Sequence, residues 1–98
     1  MRYAVEIKEE ALAEMQDAYD YYEEQKAGLG ERFLDNLDDY FERIRNNPLH
    51  FQVRRKPYRE AFIKTFPFLI IYEIEVTKII VYSIFNTSRN TKSKPKKK

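Results

Sequence analysis

The sequence has no cysteine and a single histidine, His50. The first absence excludes a disulfide framework and any thiolate metal site. The second leaves no partner for a histidine ligand set, and the carboxylates are strung along helix exteriors without ligand-like clustering. His50, after "NNP", reads as a turn residue. Only two glycines occur, Gly28 and Gly30 in "KAGLGE". They follow a helical stretch rather than a strand and no Walker lysine accompanies them, so they form a helix–helix turn and not a phosphate loop. The longest uncharged apolar run, "FPFLIIY", is far too short to span a bilayer. "MRYAVEIKEE" lacks the apolar segment of a signal peptide. A soluble, cytoplasmic protein without metal or other cofactor is expected.

What is present suffices for one core. The chain has 98 residues, 43% apolar, 35% charged and 15% aromatic, which is one globular domain's worth. Its formal charge of +2 hides a division. Residues 1–50 carry 6 Lys/Arg against 13 Asp/Glu, a net −7, whereas residues 51–98 carry 12 against 3, a net +9. Five of those cations are lysines of the last eight residues, "TKSKPKKK". Without them the second half still holds +4, so the folded part offers a basic surface to an anionic partner as well.

"RYAVEIK" alternates, with Tyr3, Val5 and Ile7 on one side, and predicts a short strand. From Glu9 the period becomes helical, with Leu12, Met15, Tyr19 and Tyr22 along one face and Ala11 and Ala18 beside them. Gly28 is placed to supply a left-handed cap. A second helix is predicted from about Leu29 to Asn46, its stripe made of Phe33, Leu37, Phe41 and Ile44. Asn46, Asn47 and Pro48 stop it. So short a connection packs the two helices as an antiparallel hairpin. After Pro48 the period is two in "HFQVRR", "REAFIKTF", "FLIIYEIEV" and "KIIVYSIF". The third and fourth are apolar on both faces and therefore central. The fold class is α+β, in the order β-α-α-β-β-β: a helical hairpin packed on one face of a twisted, mainly antiparallel sheet. Residues 1–90 make the domain, and 91–98 a flexible lysine-rich tail with too little apolar surface to fold alone.

The basic residues of the second half are the candidate site. Arg54, Arg55, Lys56, Arg59 and Lys64 come from neighbouring strands and their connection, and Arg89 follows the last strand. Alternation sets Arg54 and Lys64 on the sheet face away from the helices, where Phe62, Tyr72 or Tyr82 would join them, depending on register. Cations beside rings on an open sheet suit RNA, with phosphates held by charge and bases stacked on rings. The alternative is that the rings fill core and the cations solubilise edge strands.

These segments resemble the RelE/ParE superfamily of bacterial type II toxins. The likeness is carried by "DYYEEQKAGLGERFLDNLDDYFERIRNNP", by "YREAFIKTFPFLIIYEIE" and by the final "FNTSRN", and it runs from Arg2 to about Asn90. The resemblance implies a growth-inhibiting toxin encoded beside an antitoxin whose acidic, partly disordered segment wraps it. It implies one of two activities: RelE-like members cleave mRNA in the ribosomal A site, and ParE-like members bind and poison DNA gyrase. Metal-free RNA cleavage needs cations for the crowded phosphorane, a base for the 2′-hydroxyl and an acid for the leaving oxygen. Arg59, Lys64 and Arg89 would supply the charge and Tyr82 the proton, with Arg54, Arg55, Lys56 and Asn86 docking the target. Relatives often carry histidine where Asn86 stands, in an H-x-x-R arrangement ending in R-D/N-P, so both that histidine and the proline at Thr91 are missing here, and asparagine does not shuttle protons at neutral pH. The resemblance therefore points first to a ParE-like plasmid-stabilisation toxin acting by binding. A ribosome-dependent endoribonuclease is the alternative, and a degenerate toxin or small RNA-binding module the third. The tail lysines add salt-dependent attraction to nucleic acid with little specificity.

Overall fold

The computed structural model of the chain describes residues 3–88. Strand β1 (Ala4–Ile7) leads into helices α1 (Glu9–Gln25) and α2 (Leu29–Asn46). A single 3-10 turn, Pro48–His50, then delivers the chain to β2 (Gln52–Arg55), β3 (Tyr58–Ile63), β4 (Phe68–Glu75) and β5 (Lys78–Asn86). The expected α+β architecture holds, and the alternating segment after Phe51 forms a short strand of its own, so four strands follow the hairpin. The sheet order is β1-β5-β4-β3-β2. β1 runs parallel to β5 and every other pairing is antiparallel. β4 and β5, the strands apolar on both faces, are interior as their composition requires.

The core lies between the hairpin and one sheet face. Phe33, Leu37 and Ile44 of α2 pack with Ala61, Ile63, Ile70, Tyr72, Ile79, Val81 and Ile84 of the sheet. Helix α1 is rotated from the expected face. Ala11 and Ala18 are its fully buried residues, Met15 and Tyr22 are half-buried, and Leu12 is 49% exposed. Two alanines on the inner face let the helix lie close to the sheet. The same rotation turns Glu14, three residues after Ala11 and four before Ala18, inward over β5.

The interhelical turn uses both glycines, for different reasons. Gly28 is left-handed at φ +90°, as the spacing predicted. Gly30 is needed for closeness: a Cβ there would sit 2.8 Å from the Tyr19 carbonyl oxygen and 2.7 Å from Glu23 Cγ. Glu23 then closes the turn, its carboxylate accepting the backbone N–H of Gly28, Gly30 and Glu31 at 3.2, 2.9 and 3.3 Å. Those donors open α2, and a negative charge suits them.

Candidate functional site

Register separates the two sheet faces. Tyr72, a core residue, pairs with Arg59, and Ile70 pairs with Ala61. The opposite face carries Glu60 beside Ile71, Phe62 beside Leu69, Leu69 beside Phe85, and Glu73 beside Ile80. No helix covers that face, and Phe62 is 56% exposed there.

The candidate cations do not all reach it. Arg54 does: its Nη1 donates to Gln52 Oε1 at 3.3 Å and its Nε lies 3.6 Å from Glu60 Oε1. These groups share a shallow depression with Phe62, Leu69 and Thr87. Arg55 and Lys56 are exposed at the β2–β3 hairpin. Lys64 is exposed just past β3, and alternation from Phe62 places it on the open face. Arg59 is on the helix side. Its Nη1 donates to the carbonyl of Phe51 at 2.7 Å and of Leu49 at 3.5 Å, bracing the 3-10 turn to β3. Period two foretells this, since Arg59 shares a face with Ala61 and Ile63. The same sorting corrects Tyr72, which is 0% exposed and not an open-face ring. Its hydroxyl donates to the Pro48 carbonyl at 2.6 Å, and burial pushes its pKa up to about 12.

Tyr82 is on the open face because β5 bulges. The register slips between Ile71 and Tyr72 of β4, so that Ser83 pairs with Ile71 and Val81 with Tyr72, leaving Tyr82 as the extra residue. Its hydroxyl donates to Glu73 Oε1 at 2.8 Å, and its ring meets Tyr58 edge-on at 5.4 Å and 89°. Burial first, and then the bond to Glu73, push the phenol's pKa up to about 12. Asn86 closes the turn after β5: its Oδ1 accepts the Ser88 N–H at 2.9 Å and the Ser88 hydroxyl at 3.0 Å. Arg89 and the lysine tail lie outside the described residues, as does the boundary at residue 90. His50 is exposed in its turn, edge-on to Phe51, and among the described residues no His, Asp and Glu group fit for a metal occurs.

The open face is consequently two-toned rather than uniformly basic. Arg54, Arg55 and Lys56 lie on β2 and its hairpin, with Arg55 across from Tyr58, and Lys64 follows the far end of β3, while Glu73 and Glu75 lie on β4 with Tyr82 beside them.

Glu14 escaped the sequence reading. One oxygen of its carboxylate accepts the Ser83 hydroxyl at 2.9 Å and the Ile84 N–H at 2.8 Å, pinning the bulge from the helix side. Desolvation by burial, aided by the neighbouring charges of Glu10 and Asp17, raises its pKa above 4.5 against the two hydrogen bonds that lower it. The folded protein therefore holds this proton more tightly than the unfolded chain. The cost of the charged carboxylate is present at neutral pH and fades as pH falls through the raised folded value. Glu14→Gln keeps an acceptor for both donors. Wild type should gain stability relative to this variant as pH is lowered from about 7 toward 4.5. A difference between their denaturation midpoints that does not move with pH would contradict this assignment.

A helical hairpin on one side of a five-stranded sheet, with the other side left open, defines a small α+β class whose surface rather than a cleft is available to partners. The sequence matches, over residues 5–91, the family described as the ParE toxin of the type II toxin-antitoxin system, parDE, and the chain belongs to that family. In structure it is similar to a chain of a chromosomal ParDE toxin–antitoxin system from P. aeruginosa, with a TM-score of 0.76 at 11% identity. That likeness covers 87% of this chain and 96% of the other and shows the fold. No curated protein matches. Among the described residues no helix is long and apolar enough to cross a membrane.

Proposed function

We propose that the protein arrests bacterial growth by binding an essential protein in the cytoplasm, with DNA gyrase as the target that the family implies, and that a cognate antitoxin with an acidic segment neutralises it. Arg54, Arg55 and Lys56 at the β2–β3 edge, Asn86 at the end of β5, and Arg89 are the proposed target contacts. The observation that carries the binding reading over RNA cleavage is the state of Tyr82. Its proton is held by Glu73 and its pKa is about 12, far from the neutral range that suits a general acid or base. Two further placements agree. Arg59 spends its guanidinium on backbone carbonyls, on the side of the sheet opposite Lys64. Glu73 and Glu75 occupy the β4 part of the same face, which disfavours a polyanion lying flat across it.

Tyr82→Phe tests this directly. Losing a proton donor costs a nuclease about 10²–10⁴-fold in rate. Under the binding reading the variant keeps its growth inhibition within about threefold, since the ring remains and only one hydrogen bond, worth about 1 kcal/mol, is lost. The assay is induced expression with plating. Primer extension on ribosome-associated transcripts from the same cultures should show no new cuts. Codon-phased cuts that vanish in Tyr82→Phe would establish the endoribonuclease instead, and normal growth at high soluble expression would indicate a degenerate toxin.

A further inference from the structure

The acidic, aromatic half of the open face has a use that the basic half does not explain. Glu73 is half-buried on β4, between β3 and β5, and its Oε1 accepts the Tyr82 hydroxyl at 2.8 Å. An ionised carboxylate has acceptor sites for about four hydrogen bonds, so most of its capacity is unspent. Of the cations around it, Lys78 lies 3.0 Å from Glu6 and Arg54 is beside Glu60, while Arg55 stands on β2, across from Tyr58 and two strands away from Glu73. Among the described residues no ion pair engages Glu73. The rings beside it stand perpendicular, at 89°. In such a pair one ring touches the other only by its edge, which leaves its own negative faces clear of that contact.

This group is also held in place from beneath. The bulge at Tyr82 is what turns its ring onto Tyr58, and Glu14 fixes the bulge through Ser83 and Ile84. A strand irregularity pinned from both sides re-aims a side chain in a reproducible direction. A carboxylate with spare lone pairs, partly withdrawn from water and flanked by tyrosine rings, is complementary to a cation. A guanidinium fits better than an ammonium, because its plane stacks on a ring while its N–H groups reach the carboxylate.

We propose that Glu73, with the rings of Tyr58 and Tyr82, is a recognition site for one basic side chain, arginine in preference to lysine, presented by a protein partner. It rests on the binding reading of the open face, and it gives that face a second, opposite polarity. The partner then offers acidic groups to the Arg54 edge and an arginine to Glu73. A partner must match both halves to dock, so specificity as well as attraction follows.

The test uses the full-length chain and N-acetyl-arginine amide, with N-acetyl-citrulline amide as the uncharged isostere, followed by chemical-shift titration. Expected are saturable shifts centred on Tyr58, Glu73 and Tyr82, half-complete on the order of 10 mM, as a single charged contact gives. Citrulline should leave them unmoved. Glu73→Gln should weaken binding at least tenfold, whereas Tyr82→Phe, which keeps the ring, should bind within about threefold. Shifts spread over the acidic faces of the helices, or unchanged in Glu73→Gln, would overturn the site. So would a site that takes arginine only after the five tail lysines are replaced by glutamine, which would assign it to the chain's own tail. None of these readouts depends on gyrase or on growth, so failure here and failure of the proposed function are distinguishable.

Discussion

Gly30→Val is expected to destabilise the protein by about 3 kcal/mol or more, a fall in Tm of roughly 12–20 °C for a domain this size. Even the first added carbon would lie 2.8 Å from a backbone oxygen and 2.7 Å from both Glu23 Cγ and Tyr19 Cδ1. The carbonyl cannot step aside without moving α1. Shifting Glu23 would strand the three N–H groups at the start of α2 that its carboxylate accepts. Gly28→Ala is the control. Nothing lies within 4 Å of a Cβ there, so only the left-handed backbone is penalised, by about 1 kcal/mol. Thermal melts of the two variants should differ widely. Equal midpoints would mean that the helices do not approach each other at Gly30 as described.

Tyr72→Ala should cost still more, about 3–5 kcal/mol. It empties a fully buried aromatic site beside Phe51 and leaves the Pro48 carbonyl without its donor. Tyr72→Phe isolates the hydroxyl and should cost about 1–2 kcal/mol, since a buried acceptor is left unpaired. Urea titration separates the two. A Tyr72→Phe variant as stable as wild type would show that the 3-10 turn is held by other contacts. The bond has functional reach, because Tyr72 and Arg59 together fix the corner from which β2 departs, and β2 presents Arg54 and Arg55. Loosening that corner loosens the basic edge.

Most of the architecture was legible because periodicity is a local property. The α2 stripe of Phe33, Leu37, Phe41 and Ile44 and the double-sided apolar content of "FLIIYEIEV" and "KIIVYSIF" each determine an element without knowledge of its neighbours. Gly28 was legible for the same reason. The rotation of α1 was not: Leu12 and Ala11 are adjacent, and the choice between them depends on how closely the helix lies on β5. The bulge at Tyr82 was invisible too, since one extra residue within a strand apolar on both faces changes no alternation. With it went the inward role of Glu14 and the pairing of Tyr82 with Glu73. Arg59 was readable in principle. Counting by twos from Ala61 and Ile63 puts it on the helix side, but its charge suggested solvent, and only the exposed carbonyls of Leu49 and Phe51 explain how a guanidinium is accommodated there.

The family assignment likewise came from local strings, "GLGERF" and "YREAFIKTFPF" among them, which report the hairpin turn and the β3–β4 connection. They describe the scaffold. The face that would choose a target is composed of Arg54, Phe62, Glu73 and Tyr82, contributed by four different strands, and no single stretch of sequence displays it.

Growth arrest by binding is tested most directly with purified gyrase holoenzyme, ATP and relaxed plasmid, titrated with the full-length protein in the absence of ribosomes. Inhibition of supercoiling that saturates with toxin, that persists in Tyr82→Phe and that is relieved when Arg54 and Arg55 are both changed to glutamate is the predicted result. Undiminished supercoiling at a large molar excess of folded protein, alongside codon-phased cuts in ribosome-bound transcripts, would contradict it.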